Sequence, residues 1–89
     1  MSETQVSMYG WGIGVTYKDG ADPAHTGLHD TLTREKGFIG YDEQDGVWYY
    51  FFISQEYRDD MKALLTFAGF LGEIEAYFRM QEPVLFHFN

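Results

Sequence analysis

The chain has 89 residues, of which 19% are aromatic and none is cysteine, and its formal net charge is −8 at pH 7. A chain of this length is expected to form one domain spanning residues 1–89, and without cysteine it has no disulfide framework, thiolate zinc site or cysteine nucleophile. The excess of acids opposes direct binding to nucleic acid and to anionic membranes, so neither is an expected partner.

We expect no targeting signal in the first residues of the chain. The segment from Met1 to Val6 is polar and lacks a basic stretch, and no apolar run reaches the roughly 18 residues of a membrane span. The lack of cysteine also fits a reducing compartment. We therefore expect a cytoplasmic protein.

The first predicted element is a strand near residues 6–17. Within it the sequence alternates, with rings and branched aliphatic residues on one face and Gly10, Gly12 and Gly14 on the other. A sheet face without side chains allows a helix or an aromatic ring to approach the backbone closely. Glycines inside a strand do not fit a dinucleotide-binding loop, in which a helix begins at the glycines.

A short helix is predicted near Thr26–Lys36. His25 and His29 lie four residues apart, the spacing of a metal-binding pair on one helix face. The proline and glycine of this stretch argue against a rigid helix at the pair, and a third ligand would have to come from Asp30 or the distant His87. We interpret both histidines as solvated loop residues and His87 as a surface residue, and we predict no metal and no cofactor.

Two apolar runs, at residues 38–42 and 47–53, predict a β-hairpin. The acidic segment between them ends in Gly46, which suits the left-handed position of a turn. The second run carries rings on both of its faces, which is typical of a central strand covered on each side. We expect this strand to form the heart of the core.

Ser54 is well suited to cap a helix near residues 55–68. Acidic residues follow in the first turns of this helix, where the helix dipole favours negative charge. Residues 70–80 fit two patterns, because a helical period would continue the helix, kinked, to about residue 80, while the segment from Glu73 to Met80 alternates as a strand does. We predict the helix and keep the strand as the alternative.

A final strand is predicted near residues 84–88, after Pro83. Together these elements indicate an α+β fold, with a small, mostly antiparallel sheet packed against helix.

No catalytic constellation is identifiable in the sequence. The serines Ser2, Ser7 and Ser54 lie in a tail, at a strand entry and at a helix cap, and no nucleophile elbow is present. Carboxylate pairs need a concave site to shift their pKa values for acid–base catalysis, and a core of this size has little room for one. We therefore predict a binding protein and not an enzyme.

Acidity is concentrated in the middle of the chain. Residues 41–60 carry six acids and one base, whereas residues 1–40 have a net charge of −2 and residues 61–89 a net charge of −1. Acids are common in turns and at helix starts, which is one explanation. The other is a ridge of carboxylates and exposed rings that replaces nucleic-acid phosphates in an Arg- and Lys-rich groove. The predicted partner-binding residues are Asp42, Glu43, Asp45, Tyr49, Tyr50, Glu56, Tyr57, Asp59 and Asp60.

In size, acidity and lack of catalytic groups, the chain resembles the small phage-encoded inhibitors of bacterial defence, including anti-CRISPR and anti-restriction proteins. The resemblance implies an inhibitor that blocks a basic surface on a nuclease or other nucleic-acid-binding complex in the host cytoplasm, with DNA mimicry as one way of blocking it. The second hypothesis is a homo-oligomeric module, such as a homodimer, or an accessory protein-interaction module, such as an immunity protein or assembly subunit. It depends on the segment from Ala63 to Gly72, in which only Thr66 is polar.

Overall fold

A computed structural model gives the fold and describes residues 6–20, 27–64 and 72–88. Every strand pair in this part of the chain is antiparallel, so the predicted α+β class with an antiparallel sheet is confirmed. The elements, in chain order, are β1 (Val6–Tyr17), a 3₁₀ turn (Lys18–Gly20), α1 (Gly27–Arg34), β2 (Phe38–Gln44), β3 (Val47–Phe52), α2 (Gln55–Leu64), β4 (Ile74–Arg79) and β5 (Val84–Phe88).

The sheet is built around β1, which has partners along both of its edges. The strand order is β2-β3-β1-β4, and β5 also pairs with β1. β4 pairs with the carboxyl half of β1, and β5 pairs with its amino half. Between these two pairings, the Met80 amide donates a hydrogen bond to the Gly12 carbonyl at 3.0 Å. β4 and β5 therefore run in line along one edge of β1.

The alternation predicted for β1 is confirmed. One face of the sheet, the helix face, carries Ile13, Val15 and Tyr17, which α1 and α2 cover. The other, the glycine face, carries Gly10, Gly12 and Gly14, which are buried although no described helix lies on this side. The core on the helix face comprises Ile13, Val15, Tyr17, Leu28, Leu32, Tyr50, Phe52, Met61 and Ile74.

The two helices form where the sequence predicts them. In α1, Leu28 and Leu32 lie four residues apart and are both wholly buried, which is the spacing of one helix face. In α2, the Ser54 hydroxyl accepts the Tyr57 amide at 3.2 Å, so the predicted cap is confirmed. The predicted end of this helix, at residue 68, lies outside the described residues. None of the helices in the described ranges is long and apolar enough to cross a membrane.

The predicted hairpin joins β2 and β3 through a two-residue turn. Asp45 and Gly46 have φ values of 53° and 85°, so both central residues are left-handed, as in the turns that match the twist of paired strands. The Glu43 carboxylate accepts the Gly46 amide at 2.8 Å and braces the turn. β3 lies between β2 and β1, which confirms it as a central strand.

The helix predicted to continue to residue 80 is wrong for residues 74–79, which form the strand β4. The local pattern fitted both structures, and a contact distant in sequence decides between them. As a strand, this segment hydrogen-bonds to the carboxyl half of β1 and buries Ile74 on the helix face, at 5% exposure. A helix would leave that edge of β1 without a partner.

Candidate protein-binding surface

The structure separates the two predicted acidic clusters. Asp42, Glu43 and Asp45 lie at the hairpin tip, before β3, whereas Glu56 and the other α2 acids follow the opposite end of that strand. Six residues of strand span about 17 Å, and α2 packs on the helix face. The structure therefore does not bring the nine predicted residues together as one ridge.

Several of these acids have structural partners within the chain. Asp59 accepts a hydrogen bond from Nε of the buried Arg58 at 2.7 Å. At the hairpin, Asp42 Oδ1 accepts the Glu43 amide at 2.9 Å, and its Oδ2 accepts the Gln44 side-chain amide at 3.3 Å. Local structure thus explains part of the acidic pattern, while Glu56 and Asp60 are exposed on α2.

The expectation that Tyr50 is exposed is wrong, because its ring lies on the helix face with 0% exposure. Its hydroxyl shares hydrogen bonds with the Tyr17 hydroxyl at 2.6 Å and with Nδ1 of His29 at 2.8 Å. Burial, and then the hydrogen bond to Tyr17, raise the pKa of Tyr50 far above its usual range. Tyr50 therefore belongs to the core and not to a binding surface.

The predicted solvated histidine His29 also has a different position. It lies in α1, is half-buried, and contacts Tyr41, Trp48 and Tyr50 edge-on. Its predicted partner in a metal pair, His25, lies outside the described residues, as does the side chain of His87. Within the described ranges, no three histidine, aspartate or glutamate side chains are placed to hold a metal ion.

The two remaining predicted tyrosines lie on opposite sides of the sheet. Tyr49 is on β3 beside Gly14, on the glycine face, and is half-buried. Tyr57 is on α2, 36% exposed, and its ring packs against Gly37. On the glycine face, Tyr49 lies beside an acid of the hairpin, since its register partner on β2 is Asp42.

The glycine face is an aromatic surface. A Cβ added at any of the three β1 glycines would overlap a side chain from a neighbouring strand, so the missing side chains leave space that rings and a thioether fill. The side chains over the glycines are Phe86 at Gly10, Met80 and Phe51 at Gly12, and Phe78 at Gly14. The predicted close approach to this face is therefore confirmed, and rings from the sheet itself make it.

The rings of the glycine face form edge-to-face pairs. The Phe51 and Phe86 centroids are 5.0 Å apart at 70°, and those of Tyr49 and Phe78 are 6.1 Å apart at 79°. Phe51 is almost fully buried, whereas Phe78 remains 45% exposed. The surface thus has a packed floor and an accessible aromatic rim.

Two adjoining grooves cross the glycine face. The first, of about 310 Å³, is lined by Asp42, Gln44, Tyr49, Phe51, Met80, Val84 and Phe86. The second, of about 780 Å³, is more open and is lined by Tyr49 and by residues 78–84. Tyr49, Met80 and Val84 line both, so the two grooves form one continuous concave surface.

The sequence predicts two lining residues of the first groove, Asp42 and Tyr49, and misses the others. Met80, and Phe78 of the second groove, were missed because their segment is predicted as a helix, in which residues i and i+2 do not share a face. As a strand, the alternation from Glu73 to Met80 places alternate residues on one face, so the signal was in the sequence.

In comparisons with known proteins, no protein-family model, curated protein or solved structure matches the chain. Function is therefore inferred from the geometry and charge of the described residues. Rings packed edge to face, an apolar wall and a carboxylate at the edge are groups that bind a partner's side chains.

Proposed function

We propose that the chain is a small inhibitory binding protein that covers a basic, nucleic-acid-binding surface of a larger protein. The observation that carries this proposal is the grooved aromatic glycine face with Asp42 at its edge, on a chain of net charge −8. A nuclease complex of a bacterial defence system, as for anti-CRISPR proteins, is the type of target we propose.

The exposed rings support protein binding. Phe78 is 45% exposed and Tyr49 is half-buried, beside a concave surface that both help to line. Rings provide a large contact area with few rotatable bonds, and tyrosine is enriched among the residues that dominate binding energy. The packed floor beneath them holds this surface in shape before the partner arrives.

Charge supports a basic partner. Asp42 lines the first groove, Glu43 and Asp45 lie in the same hairpin, and the chain as a whole is strongly negative. Such a field accelerates association with a basic surface and repels acidic ones. Hairpin carboxylates would take the positions of phosphates in the target, and the α2 acids would contribute to long-range attraction from the other side of the sheet.

Matched charge reversals test the proposal. The partner is first captured on the immobilised chain, and its affinity is then measured for Asp42→Lys and for Asp60→Lys, which change the net charge equally. We expect Asp42→Lys to weaken binding at least about tenfold and Asp60→Lys to weaken it only slightly. Equal effects would mean that overall charge, and not the glycine face, determines binding.

A pair of ring truncations separates the glycine face from the rest of the molecule. Phe78→Ala removes a 45% exposed ring from this face, and Tyr9→Ala removes a 56% exposed ring from the other face. We expect loss of partner binding for the first only. A target that is acidic, or that binds both variants as tightly as the unmodified chain, would contradict the proposal.

A homodimeric module is the second candidate function, and the amino half of β1 favours it. Residues Val6–Gly10 pair with β5 alone among the described strands, and Tyr9 and Leu85, opposite each other there, are 56% and 44% exposed. A two-stranded ribbon is marginally stable alone, and a second copy would cover it. The segment from Ala63 to Gly72, which first motivated this hypothesis, lies mostly outside the described residues.

Sedimentation distinguishes the two candidates. The net charge of −8 opposes pairing of identical chains at low salt, so a dimer held by Tyr9 and Leu85 would tighten as salt rises. A complex with a basic partner would weaken over the same range. A monomer at all salt concentrations would contradict the homodimer.

A further inference from the structure

We infer that the first groove of the glycine face binds an arginine side chain of the partner, with the guanidinium on Asp42 and the aliphatic stem along Tyr49 and Met80. This inference rests on the proposed function and names the chemical group that the groove takes.

The Asp42 carboxylate is held in place and still has acceptor capacity. Its Oδ1 accepts the Glu43 amide at 2.9 Å, and its Oδ2 accepts the Gln44 side-chain amide at 3.3 Å. Each carboxylate oxygen has two lone pairs, so one remains on each oxygen for a further donor. A guanidinium supplies two parallel N–H groups, which match such a pair of acceptors.

The groove wall fits the remainder of an arginine side chain. Asp42 is the register partner of Tyr49, so the carboxylate and the ring lie on neighbouring strands of the same face. Phe51, Met80 and Val84 complete an apolar lining in a volume of about 310 Å³. Apolar walls cover the methylene stem, and a planar guanidinium stacks on an aromatic ring.

The charge of the lining favours arginine over other groups. Within the described part of the chain, Asp42 is the only charged residue that lines this groove. A partner carboxylate or phosphate would therefore be repelled, and a neutral side chain would leave the carboxylate without a charged donor. Lysine would satisfy the charge, but it is a point charge that neither forms a bidentate pair nor stacks.

Titration with single amino-acid probes tests the inference without the partner. The ¹H–¹⁵N spectrum of the chain is followed while N-acetyl-arginine amide is added, and then its lysine and citrulline counterparts. We expect the arginine probe to shift the amide signals of Asp42, Gln44, Tyr49 and Phe51, the lysine probe to bind several-fold more weakly, and the neutral citrulline probe to leave them unchanged. Shifts of equal size with citrulline, or shifts confined to α2, would overturn the inference.

Two variants with the same change of charge control the titration. Asp42→Asn keeps the size of the side chain and removes its charge, and Asp60→Asn does the same at an exposed site on α2. We expect Asp42→Asn to lower the affinity for the arginine probe at least about fivefold and Asp60→Asn to leave that affinity unchanged. The spectrum of each variant also shows directly whether the fold is retained.

The outcomes also separate this inference from the function on which it rests. If the arginine probe does not bind, while partner capture still requires Phe78, the arginine inference fails and the proposed function stands. If the probe binds and sedimentation shows that the chain self-associates through Asp42, the arginine comes from a second copy, and the proposed basic partner is wrong.

Discussion

Gly12 and Gly14 both lie directly under side chains of the glycine face, but those side chains differ in burial. A side chain at Gly12 would overlap the Met80 thioether and the ring of Phe51, which is only 6% exposed. At Gly14 the overlapping group is the ring of Phe78, which is 45% exposed and free to move outward. The same substitution should therefore have different effects at two positions of one strand.

We expect Gly12→Ala to lower the free energy of unfolding by about 1–3 kcal/mol, as overpacking does, and Gly14→Ala to lower it less. Gly40→Ala is the control, because nothing lies within 4 Å of a Cβ at that position. Its effect should stay within about 0.5 kcal/mol. Urea denaturation of the three variants measures their order of stability. A Gly12→Ala protein as stable as the Gly40→Ala protein would contradict the expected order.

Tyr50 joins the sheet to α1 through its hydroxyl. Tyr17 lies 2.6 Å away on β1 and His29 lies 2.8 Å away on α1, so removal of one oxygen disrupts two hydrogen bonds under the helix. We expect Tyr50→Phe to lower the free energy of unfolding by about 1–3 kcal/mol. Tyr49→Phe, at the neighbouring position on the other face, should change it by less than about 0.5 kcal/mol. Thermal or urea denaturation would show whether the two differ.

The raised pKa of Tyr50 makes stability depend on alkaline pH. Because the folded-state pKa lies above the ordinary value of 10.0, the fold favours the neutral phenol. This contribution is complete below pH 10 and is lost as pH rises above it, with a slope of up to about 1.4 kcal/mol per pH unit. Tyr50→Phe should lose stability less steeply between pH 10 and 11, and equal slopes for the two proteins would argue against the assignment.

At the scale of elements, Arg58 connects α2 to β1 and to the residue that follows β4. Its side chain is buried, its Nη1 donates to the Met80 carbonyl at 3.2 Å, and its guanidinium lies 5.7 Å from the centre of the Trp11 ring. Asp59 on the same helix accepts from its Nε at 2.7 Å. A planar group with several donors satisfies these contacts together, and an ammonium does not.

We therefore expect Arg58→Lys to lower the free energy of unfolding by about 1–3 kcal/mol. Arg34→Lys is the matched control, since Arg34 pairs with Asp30 at 3.3 Å where both side chains are well exposed. Such a pair contributes at most about 1 kcal/mol. If both substitutions had the same effect in urea denaturation, the connecting role of Arg58 would be wrong.

The sequence predicts elements well where the pattern is local. The alternation of β1, the Asp45–Gly46 turn and the Ser54 cap each depend on residues close in sequence, and all three are observed. β4 was missed because its residues fit both periods, and the choice depends on β1, far away in sequence. Local patterns do not contain that information.

The lack of long-range information in local patterns also explains why the sequence predicts only part of the candidate site. Rings alternate on both faces of β3, so the sequence alone does not show which set the helices cover. Tyr50 and Tyr49 are neighbours in sequence, yet the first is wholly buried and the second lines the grooves. The acidic residues were located correctly as local turn and helix-start features, but their separation by β3 follows from the three-dimensional arrangement of hairpin and helix.

At the scale of the whole molecule, the net charge of −8 on 89 residues acts against the compact state. Salt shortens the range of this repulsion, with a Debye length of about 10 Å at 0.1 M. We expect the free energy of unfolding to rise between 10 and 200 mM NaCl, measured in urea at pH 7. A fall over that range would show that ion pairs such as Arg58–Asp59 outweigh the repulsion.

Because β4 and β5 lie along a single edge of β1, that edge has no partner until late in synthesis. β1 leaves the ribosome first among the described strands, yet its partners on that edge, residues 74–88, are made last. Contacts so distant in sequence raise the contact order and slow folding. Until they form, β1 has an unpaired edge to which a strand of another nascent chain can add, so aggregation should compete with refolding as protein concentration increases.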